Sequence, residues 1–198
     1  MSDNAIVILA AGNSSRLGES KQLLCSEDGL SLMNKTIKHA FDSKLGKVFI
    51  VLGSDFEKHK KAVHSNEPIY IVENKSWHNG MGSSLKSGLN AVLNIMPNVQ
   101  SVIVSVCDQV HLAPKQFNAL NNQYKLSGAP IVASKYGKDG YGVPVLFDKS
   151  QIGELLTLED NHGALNFIKQ QVNRTAFINF EKGNIDIDTP QDVANYLS

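Results

Sequence analysis

Cysteine is nearly missing from this chain. Cys25 and Cys107 are the two present, with no CxxC pair and no Cys/His cluster, which excludes a disulfide framework and a zinc site of familiar spacing. Cys107 closes an apolar run and reads as a buried small hydrophobe, while Cys25 lies near a polar loop. The 6 histidines show neither HxxxH nor HxH spacing, so they outline no metal site either. Net charge is missing as well. The 19 acidic and 19 basic residues cancel, so no overall field draws the chain to nucleic acid or to an anionic membrane, and any anion site has to be local. No apolar run approaches the length of a membrane span, and the first residues lack the basic stretch of a signal segment, so a cytoplasmic protein is expected. Internal repeats, low-complexity tracts and linkers are absent too. At 198 residues, 42% of them hydrophobic, the chain is sized for one domain, 1–198, with a substantial core.

What is present begins with AIVILAAGNSSRLGESKQ, Ala5 to Gln22: an apolar strand running into a loop of small and polar residues that ends in one lysine. Ala10, Ala11 and Gly12 keep the backbone bare, and Gly12 and Gly18 tolerate positive φ, so free N–H groups can converge on an anion. Arg16 and Lys21 add the fixed positive charge that a polyphosphate needs. Two familiar phosphate loops do not fit. The P-loop pattern GxxxxGK[ST] fails because Gly18 and Lys21 are spaced wrongly, and the dinucleotide pattern GxGxxG is missing.

Strands and helices then alternate. Ser31 to Lys44 has helical apolar spacing, Lys47 to Gly53 is a short β-branched run, Asp55 to His64 is a second helix, and Ile69 to Val72 is a third strand. Lys58, His59, Lys60 and Lys61 read as a solvated helix face. Gly80, Met81, Gly82, Ser83 and Ser84 open the next helix, where such residues either hold a phosphate, ribose or base edge or simply cap the helix. Ser101 to Val106 is the most strongly β-patterned run and delivers Asp108 to its carboxyl end, where open α/β sheets place their ligands. Asp108 is therefore a candidate metal ligand, or else a cap for a helix starting near Pro114. Pro130 to Ser134 and Val143 to Phe147 read as strands around a mobile, substrate-facing loop, Lys135 to Gly142. Short helices at Gln151 to Leu156 and Gly163 to Gln171, a strand at Thr175 to Phe180, and a helix led by Thr189 and Pro190 complete the chain. Asp186 and Asp188 alternate with Ile185 and Ile187, which sets both carboxylates on one side of an extended segment. The expected fold is α/β: three layers, a mostly parallel sheet with helices on both faces, Rossmann-like.

Leu9, Ala10, Ala11, Gly12, Ser14, Arg16, Gly18 and Lys21 match the LAAGxSxRxGxxK signature of the nucleotidyltransferases, and Asn74 to Leu89, the CDQV at Cys107 to Val110 and the closing DIDTPQD resemble the molybdenum cofactor cytidylyltransferases and their close relatives. The resemblance runs from Ile6 to Val193, with Val110 in place of a usual proline and Cys25 with SEDGL in place of a proline-containing turn. It implies a nucleotide-diphospho-sugar transferase-like fold and a CMP transfer from CTP to the phosphate of molybdopterin, with pyrophosphate released. The LAAG variant, rather than LAGG, goes with cytidine in that family. The resemblance further implies Mg²⁺ on Asp108 and on Asp188 or Asp186, catalytic charge from Lys21 and Arg16, and a nucleotide wall of Leu9 to Gly12, Ser14, Asn74, Gly80, Met81, Ser83 and Ser84, with Trp77 and His78 nearby. A molybdoenzyme would be a transient contact. A sugar or polyol phosphate acceptor, or GTP in place of CTP, is the nearest rival. A non-catalytic carrier of the same fold would be expected to lack Lys21 or Asp108, and both are present.

Overall fold

The computed structural model of the chain describes residues 4–138 and 140–197. The apolar run near the start forms β1 (Asn4–Ala10), buried from Ala5 onward. It is apolar on both faces because both are covered, which is why its sequence is continuous rather than alternating. β2 (Gly46–Leu52), β3 (Ile69–Glu73) and β4 (Ser101–Val106) lie parallel to it, with β1 paired to β2 on one side and to β4 on the other. The crossovers are α1 (Leu32–Asp42), α2 (Phe56–Ala62) and α3 (Met81–Ile95). Ser31 caps α1 by accepting the Asn34 N–H at 3.2 Å.

The second half brings α4 (Pro114–Ser127), the strands β5 (Ile131–Tyr136) and β6 (Gly140–Asp148), α5 (Lys149–Leu156), α6 (Ala164–Gln170), β7 (Thr175–Asn179) and α7 (Pro190–Tyr196). The sheet order is β3-β2-β1-β4-β6-β5-β7, with β6 antiparallel to β4 and β5 and the other pairs parallel. Alternate strand residues feed two apolar layers. Val7, Val51 and Val104 meet Leu85, Leu89 and Val92 of α3 and Phe167 of α6, whereas Ile6, Ile8 and Ile50 meet Met33 and Ile37 of α1 and Phe117 of α4. Among the described residues no helix is long and apolar enough to cross a membrane.

One expectation changes. Much of the segment expected as a mobile loop, Lys135 to Gly142, is a hairpin, with Lys135 paired to Tyr141 and Tyr136 to Gly140; Asp139 lies outside the described residues. Gly137 turns the hairpin with φ 51, whereas Gly140 and Gly142, and Gly183 from further along, make room for the Tyr136 ring. A Cβ on Gly142 would stand 2.8 Å from the Tyr136 hydroxyl, and one on Gly183 2.4 Å from its ring. Asp108 caps nothing at α4, whose N-cap is Ala113, with the Gln116 side chain accepting the Ala113 N–H at 3.1 Å.

α3 lies close against the sheet at Gly88, where a Cβ would lie 2.5 Å from Val7 Cγ1 and 3.0 Å from Val51 Cγ2. Gly88→Val is expected to reduce unfolding free energy by about 1–3 kcal/mol through overpacking. Urea titration should show a lower midpoint at unchanged slope, and an unmoved midpoint would mean that α3 does not lie this close to β1.

Candidate active site

From β1 the chain leaves the sheet at its carboxyl end and wraps around one buried amide. Gln22, 1% exposed, donates from Nε2 to Ala10 O at 3.1 Å and to Gly12 O at 2.6 Å. Its Oε1 accepts from Ser20 Oγ at 2.9 Å and Ser14 Oγ at 3.3 Å, and Ser14 Oγ accepts the Lys21 N–H at 3.1 Å. Ser14 holds φ 52 and Gly18 φ 78, and a left-handed serine of this kind persists only where surrounding bonds over-determine it. Leu17 anchors the loop in a small apolar cluster with Leu32, Ile187 and Leu197. Gln22 stands one residue beyond the signature, and no motif reasoning singled it out.

The loop delivers Lys21, 17% exposed, to two carboxylates. Its Nζ pairs with Asp108 Oδ2 and, at 3.0 Å, with Asp188 Oδ1. Burial pulls the Lys21 pKa down, but Asp108 and then Asp188 outweigh it and hold the ammonium above its ordinary value. Arg16 Nη2 reaches Asp188 Oδ2 at 2.8 Å from a side chain that is 73% exposed, a pair that solvent screens heavily. Asp108 sits just past β4. Asp188 is brought to it by the Ile187 N–H, which donates to Asp108 O at 3.1 Å, and by the buried Ile187 side chain. Asp186 bridges through its backbone to Gln109 and makes no ion pair with Lys21. Gln109 itself donates from Nε2 to Gly183 O at 2.5 Å and Val143 O at 3.0 Å, fastening the Asp108 turn to β6 and to the closing segment.

A cleft of about 540 Å³ opens beside this centre. Leu9, Ala10, Ala11, Gly12 and Lys21 line one side, and Trp77, His78, Gly80, Met81 and Ser84 the other, with Asp108 at the junction. A smaller recess of about 160 Å³ holds Ser14, Arg16, Lys21 and Asp188. Asn74 and Ser83 line neither, because both are buried and bonded behind the wall. Asn74 Nδ2 donates to Ser83 Oγ at 2.9 Å and Ser84 Oγ at 3.0 Å, and the one proton of Ser83 Oγ is shared between the carbonyls of Ser76 and Gly80, each 2.8 Å away. They shape the turn from Ser76 to Gly80. Gly80 takes φ 125, and a Cβ there would lie 2.7 Å from Asp160 O, so the connection between α5 and α6 presses directly on the start of α3. Lys86 clamps that contact through Asp160 Oδ1 at 2.6 Å. Met81 remains 51% exposed at the cleft edge.

Cys107 also faces the cleft, but burial and then the Asp108 charge push its thiol up to about 12, which leaves it inert as a nucleophile. His59 departs from the solvated face expected for Lys58 to Lys61. It is 1% exposed and turned toward the loop, its neighbouring lysines having concealed it in the sequence.

The donor set suits a hard divalent cation. Asp108 Oδ1 is buried without a hydrogen-bond partner, an arrangement that an ion or ligand ordinarily completes. Its other oxygen and Asp188 already share one cationic group, the ammonium of Lys21. Among the described residues no group of three or more His, Cys, Asp or Glu stands ready to hold a metal, so the remaining oxygen ligands would come from substrate phosphates and water.

Comparison with known proteins agrees in fold. Residues 6–175 match the family described as MobA-like NTP transferase domain. Rv0371c of Mycobacterium tuberculosis H37Rv is 24% identical over 99% of this chain and 97% of its own, with a TM-score of 0.82, and it has also been solved in complex with manganese. The 4-diphosphocytidyl-2C-methyl-D-erythritol synthase of Anaerococcus prevotii is 17% identical over 98% and 96%, TM-score 0.77. Molybdopterin-guanine dinucleotide biosynthesis protein A of Archaeoglobus fulgidus is 15% identical over 98% and 96%, TM-score 0.68. No curated protein matches the sequence.

If Lys21 and a divalent cation compete for the same carboxylates, removing the ammonium should favour the metal. Lys21→Ala is expected to tighten Mn²⁺ binding by about tenfold, a change well inside the ~4 kcal/mol Coulomb energy of adjacent charges near a protein surface. Adding Asp108→Asn should abolish the gain in titration calorimetry. Unchanged or weaker Mn²⁺ affinity in the single variant would remove the metal role from this pair.

Proposed function

The chain belongs to the MobA-like NTP transferase family, and on that premise we propose that it transfers CMP from CTP to the phosphate of molybdopterin. The observation that carries this reading is the Lys21 ammonium shared by Asp108 and Asp188 at the mouth of the cleft. Without substrate these charges satisfy one another. A triphosphate seated on Gly12 to Gly18 draws Lys21 and Arg16 to its oxygens, which leaves Asp108 and Asp188 as the residues that would hold Mg²⁺. When bound, the ion supplies charge neutralisation at the phosphoryl oxygens.

The chain's own part is alignment and charge. The acceptor phosphate is already anionic at neutral pH and needs no general base. Its oxygen bonds to the α-phosphorus as the bond from that phosphorus to the α,β-bridging oxygen breaks, and pyrophosphate leaves with the electron pair. Lys21 and Arg16 offset the charge that develops on the leaving group. Two features favour a pyrimidine. The Ala11 methyl stands where the guanosine-type signature has glycine, and both it and Trp77 close on Gly53, where a Cβ would lie 2.5 Å from Trp77 Cβ and 2.9 Å from Ala11 Cβ. A polyol phosphate acceptor is the second reading, favoured by the higher TM-score to the Anaerococcus prevotii synthase.

Pyrophosphate release measured with Mg²⁺ and each of CTP, GTP, ATP and UTP, with molybdopterin or a polyol phosphate as acceptor, separates these readings. Release is expected with CTP and molybdopterin together. Lys21→Ala should lower kcat/KM by about 10²–10³, the loss typical of one positioned electrostatic group. Release only with the polyol phosphate would transfer the assignment to the second reading, and near-normal turnover in Lys21→Ala would show that this lysine merely fastens the loop.

A further inference from the structure

His59 occupies a place that the proposed chemistry has not used. α2 presents Lys58, Lys60 and Lys61 to solvent and turns His59 inward, against the reverse side of the loop that carries Lys21. His59 Nε2 lies 2.5 Å from Ser20 Oγ. The direction of that bond follows from its neighbours. Both protons of the Gln22 carboxamide go to Ala10 O and Gly12 O, so Gln22 Oε1 can only accept. Ser20 gives its single proton to Gln22 Oε1, and the lone pair left over accepts from His59, which therefore carries its proton on Nε2. Burial lowers the His59 pKa below its ordinary value, offset in part by Asp55 and by the Ser54 backbone.

α2 is in turn fixed to the end of β1. The Ser54 N–H donates to Ala11 O at 3.0 Å, Asp55 holds φ 50, and the His59 N–H donates to Asp55 O at 3.0 Å. A closed circuit results: Ala11 to Ser54, along the first turn of α2 to His59, across to Ser20, and through Gln22 back to Ala10 and Gly12. Between Gly18 and Ser20 the loop is otherwise largely exposed, and Lys21 follows directly.

We propose that His59 is a positioning residue for nucleotidyl transfer, its Nε2–H bracing Ser20 and Gln22 so that Lys21 is presented to the phosphates. The proposal rests on the assignment of Lys21 as the phosphate-facing cation, but the brace can be tested without any nucleotide. Hydrogen–deuterium exchange of the unliganded chain should show residues 18–22 exchanging roughly tenfold faster in His59→Phe, with 56–62 unchanged. His59→Gln, whose carboxamide nitrogen can reach the place of Nε2, should restore protection. In steady-state assays His59→Phe should lower kcat/KM for CTP by roughly tenfold to a hundredfold, mainly through kcat. Ser20→Ala should cause a similar loss, and the double variant should be little worse than either single one, because both remove one link. Should His59→Phe fail to fold, Ser20→Ala carries the same exchange measurement from the half-buried side of the bond. Equal exchange at 18–22 in wild type, His59→Phe and Ser20→Ala overturns the proposal, as does a His59→Gln variant that behaves like His59→Phe. A wild-type chain that turns over no nucleotide while its exchange follows the expected pattern would defeat the activity reading and leave the brace standing.

Discussion

One ammonium group joins three distant parts of this molecule. Lys21 comes from the loop after β1, Asp108 from the end of β4, and Asp188 from the segment before α7, and the three meet within a single hydrogen-bonded node. Between the two acids the Lys21 ammonium is held above its ordinary pKa, Asp108 and then Asp188 outweighing the cost of burial. Breaking such a partly buried pair on one side leaves an uncompensated charge, so the node is stable only until another anion competes for the lysine. On the function proposed above, that competition would link nucleotide arrival to the freeing of the two carboxylates.

The sheet explains why these groups can meet. β1 is buried on both faces and stands between β2 and β4 in register, so the ends of β1 and β4 are neighbours. The switch in strand direction at β6 leaves the Asp108 turn flanked by β1 on one side and by the Val143–Pro144 region on the other. Gln109 uses this by donating to Val143 and Gly183, which ties the turn to the segment that supplies Asp188. The remaining supports are internal to the loop, and the Gln22 carboxamide satisfies two carbonyls and two hydroxyls at once.

The first half of the fold was legible because its strands are short apolar runs and its helices have 3.6-residue spacing. Strand existence after Pro130 was legible too, but direction was not: nothing local in Val143 to Phe147 says that β6 runs against β4. The glycines around Tyr136 looked like a loop because composition cannot tell a glycine that bends the chain from one that yields to an aromatic ring. In the site, Lys21 and Asp108 stood out by position and spacing. Asp186 and Asp188 could not be separated by alternation, and it is the Ile187 contacts and the bridge at Gln109 that set Asp188 against Lys21. Asn74 and Ser83 carry polar atoms suited to a ligand, yet burial commits those atoms to the turn at Gly80. His59 was hidden among lysines, since a seven-residue helix gives too little periodicity to mark its inward position.

The apolar knot of Leu17, Leu32, Ile187 and Leu197 closes the loop after β1 with residues that follow β7. On a translating ribosome, where chain is added at about 5–20 residues per second, β1 to β4 are made seconds before Asp188 and Leu197 emerge. Until then Lys21 has only one of its two carboxylate partners, and Leu17 lacks half of its packing. Nascent chains therefore carry an incomplete Lys21 centre until Asp188 is made.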